Sequence, residues 1–153
     1  MSDTPLPTPT ETRTAMTGLE YFERMAAGEI PLPEFVKLAG LRIEEVAFGR
    51  IVFIGAAEPR YYNGLTVAHG GWTATLLDSA LACAVNTAQP AGRVFTTLEL
   101  KINYTRPITT EVGPVRCEAR VLHVGSRTAT AEARVTDAAG KLYAHATTTC
   151  IVM

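Results

Sequence analysis

One stretch constrains this chain more than any other: AHGGWTATLLDSALACAVNT, from Ala68 to Thr87. Trp72, Leu76, Leu77, Ala80, Leu81, Ala82, Ala84 and Val85 place apolar groups on nearly every face of a helix. A helix that is hydrophobic all round is buried all round. One twisted sheet wraps only part of such a rod, and the simplest cover for the remainder is a second copy of the chain. Two features resist a packing explanation: the carboxylate of Asp78 in the middle, and His69-Gly70-Gly71 at the mouth.

The rest of the sequence supplies the sheet. Residues 1–16 are rich in Thr and Pro and read as a tail. Residues 17–153 read as one domain, whose first part, 17–40, is a helical extension. In it Leu19, Phe22, Met25 and Ala26 recur at helical spacing, Gly28 stops the run, and PLPEFVKLAG adds a turn or two ended by Gly40. From Leu41 the period changes to two strands joined near Phe48-Gly49. Asn63-Gly64 marks a turn before the long helix, and Gln89-Pro90-Ala91-Gly92 breaks the helix near Ala88. About four strands follow, in the first of which Val94, Leu98, Leu100, Ile102 and Tyr104 are expected on one face and Glu99, Lys101 and Asn103 on the other. The fold class is therefore α+β, one long helix against an antiparallel sheet of about six strands.

Composition narrows the function classes. With 47% hydrophobic and 19% charged residues the chain is globular, and a formal net charge of −1 gives no general attraction to nucleic acid or to an anionic membrane. No run approaches the roughly 20 apolar residues of a spanning helix, and MSDTPLPTPTETRT lacks a basic-then-apolar leader. Cys83, Cys117 and Cys150 are far apart with no CxxC pair, so neither a metal site nor a disulfide framework is expected, and a cytoplasmic location is. Gly-rich phosphate loops, GxSxG elbows and HExxH pairs are missing.

Candidate chemistry gathers around the long helix. If it begins at His69-Gly70-Gly71, its first N–H groups lack intrahelical acceptors, the helix dipole adds positive charge there, and glycine lets a ligand's oxygen come close. Such a mouth polarises a carbonyl, or is simply a tight turn into a helix. Asp78 is either a buried acid bonded to Thr75, Ser79 or a backbone donor, or a general base or nucleophile. It lies seven residues beyond Gly71, roughly 10 Å along the axis, too far for both to touch one carbon unless two antiparallel helices of a dimer share the site. Asn63 is a turn residue or a donor to a carbonyl or water, and Thr96 and Thr97 are strand residues whose hydroxyls are able to place water. His69 fits best as a loop-fixing residue, and His123 and His145 fall in strand patterns with no assigned role.

NGLTVAHGGWTATLLDSA resembles the signature of hotdog-fold acyl-CoA thioesterases, in particular the phenylacetate-degradation type, and TTLELKINYTRPI, VLHVGSRTATAEARVTD and GKLYAHATTTCIV continue the match. The resemblance spans Leu41 to Val152. It implies a helix wrapped by a sheet, assembly into a homodimer and often a homotetramer, and hydrolysis of an acyl-CoA or aryl-CoA thioester without a cofactor. It further implies that Gly71 N–H polarises the thioester carbonyl, that Asp78 of the opposite subunit is base or nucleophile, that Asn63 orients the carbonyl or water, that His69 supports the loop and that Thr97 helps hold water. Gly70, Arg106, Ser126 and Arg127 are candidates for meeting the substrate and its phosphates, and Trp72 either narrows the acyl pocket or belongs to the core. Two other classes remain open on the same scaffold: an acyl-CoA sensor without turnover, and a hydratase or dehydratase, which HGG with Asp78 fits poorly.

Overall fold

The computed structural model describes residues 9–153. Along these residues run α1 (Pro9–Thr14), α2 (Gly18–Ala26), α3 (Glu34–Leu38), β1 (Leu41–Ala47), β2 (Arg50–Ala56), α4 (Gly70–Thr87), β3 (Phe95–Tyr104), β4 (Pro114–Val124), β5 (Thr128–Thr136) and β6 (Leu142–Val152). The six strands form one antiparallel sheet in the order β1-β2-β4-β5-β6-β3. α4 is the long helix the sequence predicts, and the sheet curls around it. Among the described residues no helix is long and apolar enough to cross a membrane.

Close approach of α4 follows from small side chains on the sheet. Ala129, Ala131 and Ala133 of β5 and Ala144 and Ala146 of β6 are buried, leaving room for Leu76, Leu77, Leu81 and Val85 to interlock with Ile51, Phe53, Val115 and Val135. The opposite face of α4, with Ala74, Thr75, Asp78, Ser79 and Ala82, stays half-exposed. One chain thus covers one side of the helix. The other side is a strip of small residues interrupted by one carboxylate.

α1 and α2 cover the C-terminal end of α4, whereas Leu38 and Ala39 accept hydrogen bonds from Tyr61 and Trp72 near its start. Thr17 and Glu20 form a capping box at the start of α2. Phe22 and Met25 enter the core, and Gly18 lies so close to Asn86 that a Cβ there would sit 1.6 Å from its carbonyl oxygen. The expected tail reaches too far: Pro9–Thr14 are helical, Arg13 is buried and donates to Asn86 Oδ1 and Met16 O, and its guanidinium stacks on Tyr21 at 5.6 Å. Proline is compatible with the first position of a helix, so a Pro-rich composition did not exclude one here. The remainder of the expected tail, 1–8, lies outside the described residues.

β3 departs from strict alternation, and the departure matters for the site. Thr97 pairs with Cys150 but Glu99 pairs with Thr149, so Leu98 is an extra residue that bulges out of the ladder. Phe95 and Thr97 on one side of the bulge, and Leu100, Ile102 and Tyr104 on the other, all stand opposite inner-face residues of β6. Leu98, expected among the inner set, is 57% exposed. The bulge exchanges a leucine for a threonine on the inner face.

On the outer face, Glu118 accepts hydrogen bonds from Arg50 and Arg116, and Glu45 from the same two arginines. Those hydrogen bonds, Arg50 first, hold the Glu118 carboxyl down to about 2 from a usual 4.5. A depressed carboxylate adds stability that is fully present above its unfolded value and vanishes as the pH falls through the folded one. Thermal unfolding should therefore show a stability loss between about pH 4.5 and pH 2 that Glu118→Gln reduces. An identical acid limb in the variant would show that the cluster adds nothing.

Candidate active site

The mouth of α4 is built by the segment between β2 and the helix. Asn63 N–H donates to Val67 O, and the Asn63 side-chain oxygen accepts from Leu65 N–H at 2.8 Å. That is the turn role predicted for it, and it settles the amide orientation: the oxygen faces the turn, and the NH2 is left for another acceptor. His69 N–H donates to Tyr61 O and Ala68 N–H to Ile108 O, which tie the segment to its neighbours. His69 is the N-cap of α4. Its carbonyl accepts from Trp72 and Thr73, while its ring Nδ1 accepts from Gly71 N–H at 2.8 Å. The ring thus meets the helix start by accepting an amide proton.

This cap changes the picture of the helix mouth. Gly71 N–H, expected to face a carbonyl oxygen, is already engaged by His69. Among the described residues, Gly70 N–H meets no acceptor. Gly70 also lines a cleft of about 360 Å³, together with Asn63, Thr73, Tyr104, Arg106 and Ile108, whereas Gly71 does not. The open donor of the helix start is one residue earlier than the sequence pattern indicated. Sequence spacing alone does not reveal which of two adjacent glycines a neighbouring ring will cap.

Asp78 is half-buried and accepts a hydrogen bond from Thr97 Oγ1 at 3.0 Å. Neither Thr75 nor Ser79, the expected local partners, makes that bond; Thr75 Oγ1 donates to Gly71 O instead. The bulge at Leu98 is what turns Thr97 inward to reach the acid. Burial, and after it the charge of Asp78, pushes the Cys83 thiol well up, and burial does the same to Cys117. Neither thiol is therefore a ready nucleophile at neutral pH.

Within one chain the two groups of residues stay apart. Asn63, Gly70, Tyr104 and Arg106 surround the cleft, and Asp78 and Thr97 do not line it. Arg106 Nη1 donates to Leu142 O at 2.6 Å, which holds the guanidinium beside the cleft. Ser126 and Arg127 are exposed in the β4–β5 turn, where Arg127 O accepts from Val152 N–H, at the far end of β6 from Leu142. Trp72 belongs to the core: its Nε1–H donates to Ala39 O at 2.9 Å, its ring stacks on Tyr61 and abuts Gly55, and it is 6% exposed. Two positions of helix separate it from Gly70, about 200° of turn, so its ring points away from the cleft. Tyr104 and Thr73 were missed as lining residues; the aromatic at the end of the inner-face series of β3 was their only sequence signal.

A long helix with an N-terminal amide open to a cleft, wrapped by one antiparallel sheet, defines a hotdog-fold protein. The chain belongs to the thioesterase superfamily, whose family model matches residues 65–144. Solved structures agree with this. It is 32% identical to the conserved protein PA5202 from Pseudomonas aeruginosa, with a TM-score of 0.75 over 80% of this chain and 95% of that one. A phenylacetic acid degradation-related protein from Ralstonia eutropha JMP134 is 29% identical, with a TM-score of 0.77 over 86% and 98% of the two chains. A variant of the phenylacetic acid degradation protein PaaI from Thermus thermophilus is 32% identical, with a TM-score of 0.70 over 78% and 98%. A comparison with curated proteins found no match.

Proposed function

We propose that the protein hydrolyses acyl-CoA or aryl-CoA thioesters at a site shared by two copies of the chain. The observation that carries this reading is the separation just described: a carboxylate held by Thr97 outside the cleft, and an unengaged Gly70 N–H inside it. A two-fold axis that runs α4 against its mate brings Asp78 of the partner subunit to the cleft of the first. The half-exposed strip of Ala74, Thr75, Ser79 and Ala82 around Asp78 suits close approach of two such helices.

In this site the thioester carbonyl oxygen accepts from Gly70 N–H at the positive end of the helix and from the Asn63 amide. Asp78 of the partner subunit, fixed by its Thr97, takes a proton from water as that water attacks the carbonyl carbon. The negative charge that develops on the oxygen is met by the same donors. The carbon–sulfur bond then breaks, and the proton passes to the departing thiolate. Direct attack by the carboxylate is the alternative route, through an anhydride that water cleaves. Single turnover in ¹⁸O water detects that route when water opens the anhydride at the Asp78 carbonyl, because the first acid released then carries an unlabelled oxygen from Asp78 and the label stays on the aspartate. Arg106 beside the cleft, with Arg127 and Ser126 of the partner subunit, are the groups proposed to meet the phosphates of coenzyme A.

The edge strand β3 supplies a specific expectation. For the partner's Asp78–Thr97 pair to reach the cleft, its Thr97 must stand opposite Tyr104. Counting inward and skipping the bulged Leu98 pairs Glu99 with Asn103, Leu100 with Ile102 and Lys101 with itself. Inner residues then meet inner residues throughout, as an antiparallel ladder requires. Residues directly opposite lie about 4.5–5.5 Å apart at Cα, within disulfide range. Lys101→Cys should therefore cross-link into a covalent dimer under mild oxidation. A variant that stays uncrosslinked in an otherwise dimeric protein would exclude this register.

Hydrolysis itself is tested by thiol release over short-, medium-, long-chain and aryl-CoA thioesters. Turnover with at least one supports the reading. Saturable binding with no release across the series would replace it with a sensor.

A further inference from the structure

Two consecutive glycines make the loosest possible start to a helix, because glycine has the widest backbone freedom of any residue. A donor that stabilises a developing oxyanion works only if it is already aimed when the charge appears. Gly70-Gly71 therefore needs something to hold it, and the structure shows a two-sided hold. The carbonyl of Gly70 and the N–H of Gly71 belong to one planar peptide group. Tyr104 Oη donates to the Gly70 carbonyl at 3.0 Å, and His69 Nδ1 accepts the Gly71 N–H at 2.8 Å. The tyrosine also lies over the glycine: a Cβ on Gly70 would sit 3.4 Å from Tyr104 Cζ and Oη. The peptide plane is thus held at both ends. The adjoining His69–Gly70 plane, which carries the Gly70 N–H, is held at its carbonyl by Trp72 and Thr73, which leaves the N–H between two restrained planes.

We infer that Tyr104 is a positioning residue for the reaction, whose hydroxyl, through the Gly70 carbonyl, aims the Gly70 N–H into the cleft. This rests on the thioesterase reading of the site. The placement on β3 gives the hold a further consequence. One end of the strand fixes Asp78 through Thr97, and the other fixes the helix mouth through Tyr104. In the dimer register derived above, those two ends face each other across the axis. One strand pair then sets the distance between base and oxyanion donor.

The hold of a hydroxyl on a carbonyl is the size of an ordinary hydrogen bond, so its loss corresponds to up to about tenfold in rate. Tyr104→Phe keeps the ring and removes the hydroxyl. Its kcat should fall about tenfold with KM changed less than about twofold, because the group acts on the aim of the donor and not on substrate affinity. The independent readout is amide hydrogen exchange followed by NMR. Exchange at Gly71 should speed up by about tenfold, while the amides of Leu76 to Val85 keep their protection and report an intact fold. Unchanged exchange at Gly71 overturns the clamp whatever the turnover. Faster exchange with undiminished kcat overturns its part in the reaction. A wild-type protein without thioester hydrolysis would instead refute the functional reading, and the exchange comparison would still decide whether Tyr104 grips the helix mouth.

Discussion

Asp78→Asn should lower kcat by at least about 100-fold, the lower end of what loss of a general base removes. The amide is nearly isosteric with the carboxylate, and its oxygen still accepts the hydrogen bond from Thr97 Oγ1. Fold and assembly should therefore survive, and the loss should fall on kcat with little change in KM. An amide neither takes a proton from water nor attacks a thioester, so base and nucleophile are removed together. Steady-state thiol release, with circular dichroism as the control for folding, gives the answer. Turnover close to wild type would mean that Asp78 is a satisfied structural acid and that the site lies elsewhere.

Gly70→Pro should cost about 100- to 1,000-fold in kcat, the usual effect of removing one oxyanion donor. Local geometry makes this an unusually clean deletion. Gly70 is the first helical residue, where proline is well tolerated, and His69 has φ −58° and ψ 138°, the conformation that a residue before proline prefers. The substitution removes one N–H and spares the helical hydrogen bonds that begin with Trp72. Gly70→Ala is the companion variant: it keeps the N–H and adds only a Cβ against Tyr104. Alanine should therefore be much milder than proline. Equal losses in the two would point to crowding of Tyr104, and an active proline variant would show that Gly70 N–H does not carry the oxyanion.

Much of the fold is legible in the sequence. An apolar run of helical length, with turn signals on both sides, is readable because burial forces a pattern on the sequence, and the strands after it alternate for the same reason. That one sheet would leave a face of α4 open was legible in the same way, from there being too much apolar surface for one sheet, and Ala74, Thr75, Ser79 and Ala82 are half-exposed there. What sequence hides is geometry that depends on a neighbour. Leu98 looks like the next inner residue of β3 until one residue bulges, and the bulge is visible only in the ladder with β6. Thr97 owes its contact with Asp78 to that shift. Gly70 and Gly71 are identical as letters, and the His69 ring beside them decides which one remains open. Trp72, adjacent in sequence to the mouth, is carried into the core by helix rotation and received by the space above Gly55. α1 was hidden because it stands on a buried arginine reaching Asn86, a long-range bond that a Pro- and Thr-rich composition does not announce.

The shared site is the claim on which the rest depends, and complementation tests it most directly. Each dead variant lacks a different half: Asp78→Asn keeps the helix mouth, and Gly70→Pro keeps the acid. In a heterodimer of the two, one site receives both intact halves and the other receives neither. Random mixing makes about half the dimers heterodimeric with one good site of two, so thiol release should recover to about a quarter of the wild-type rate. Activity that stays at the sum of the two variants, in a mixture shown by mass to contain heterodimers, would contradict a site built across the interface.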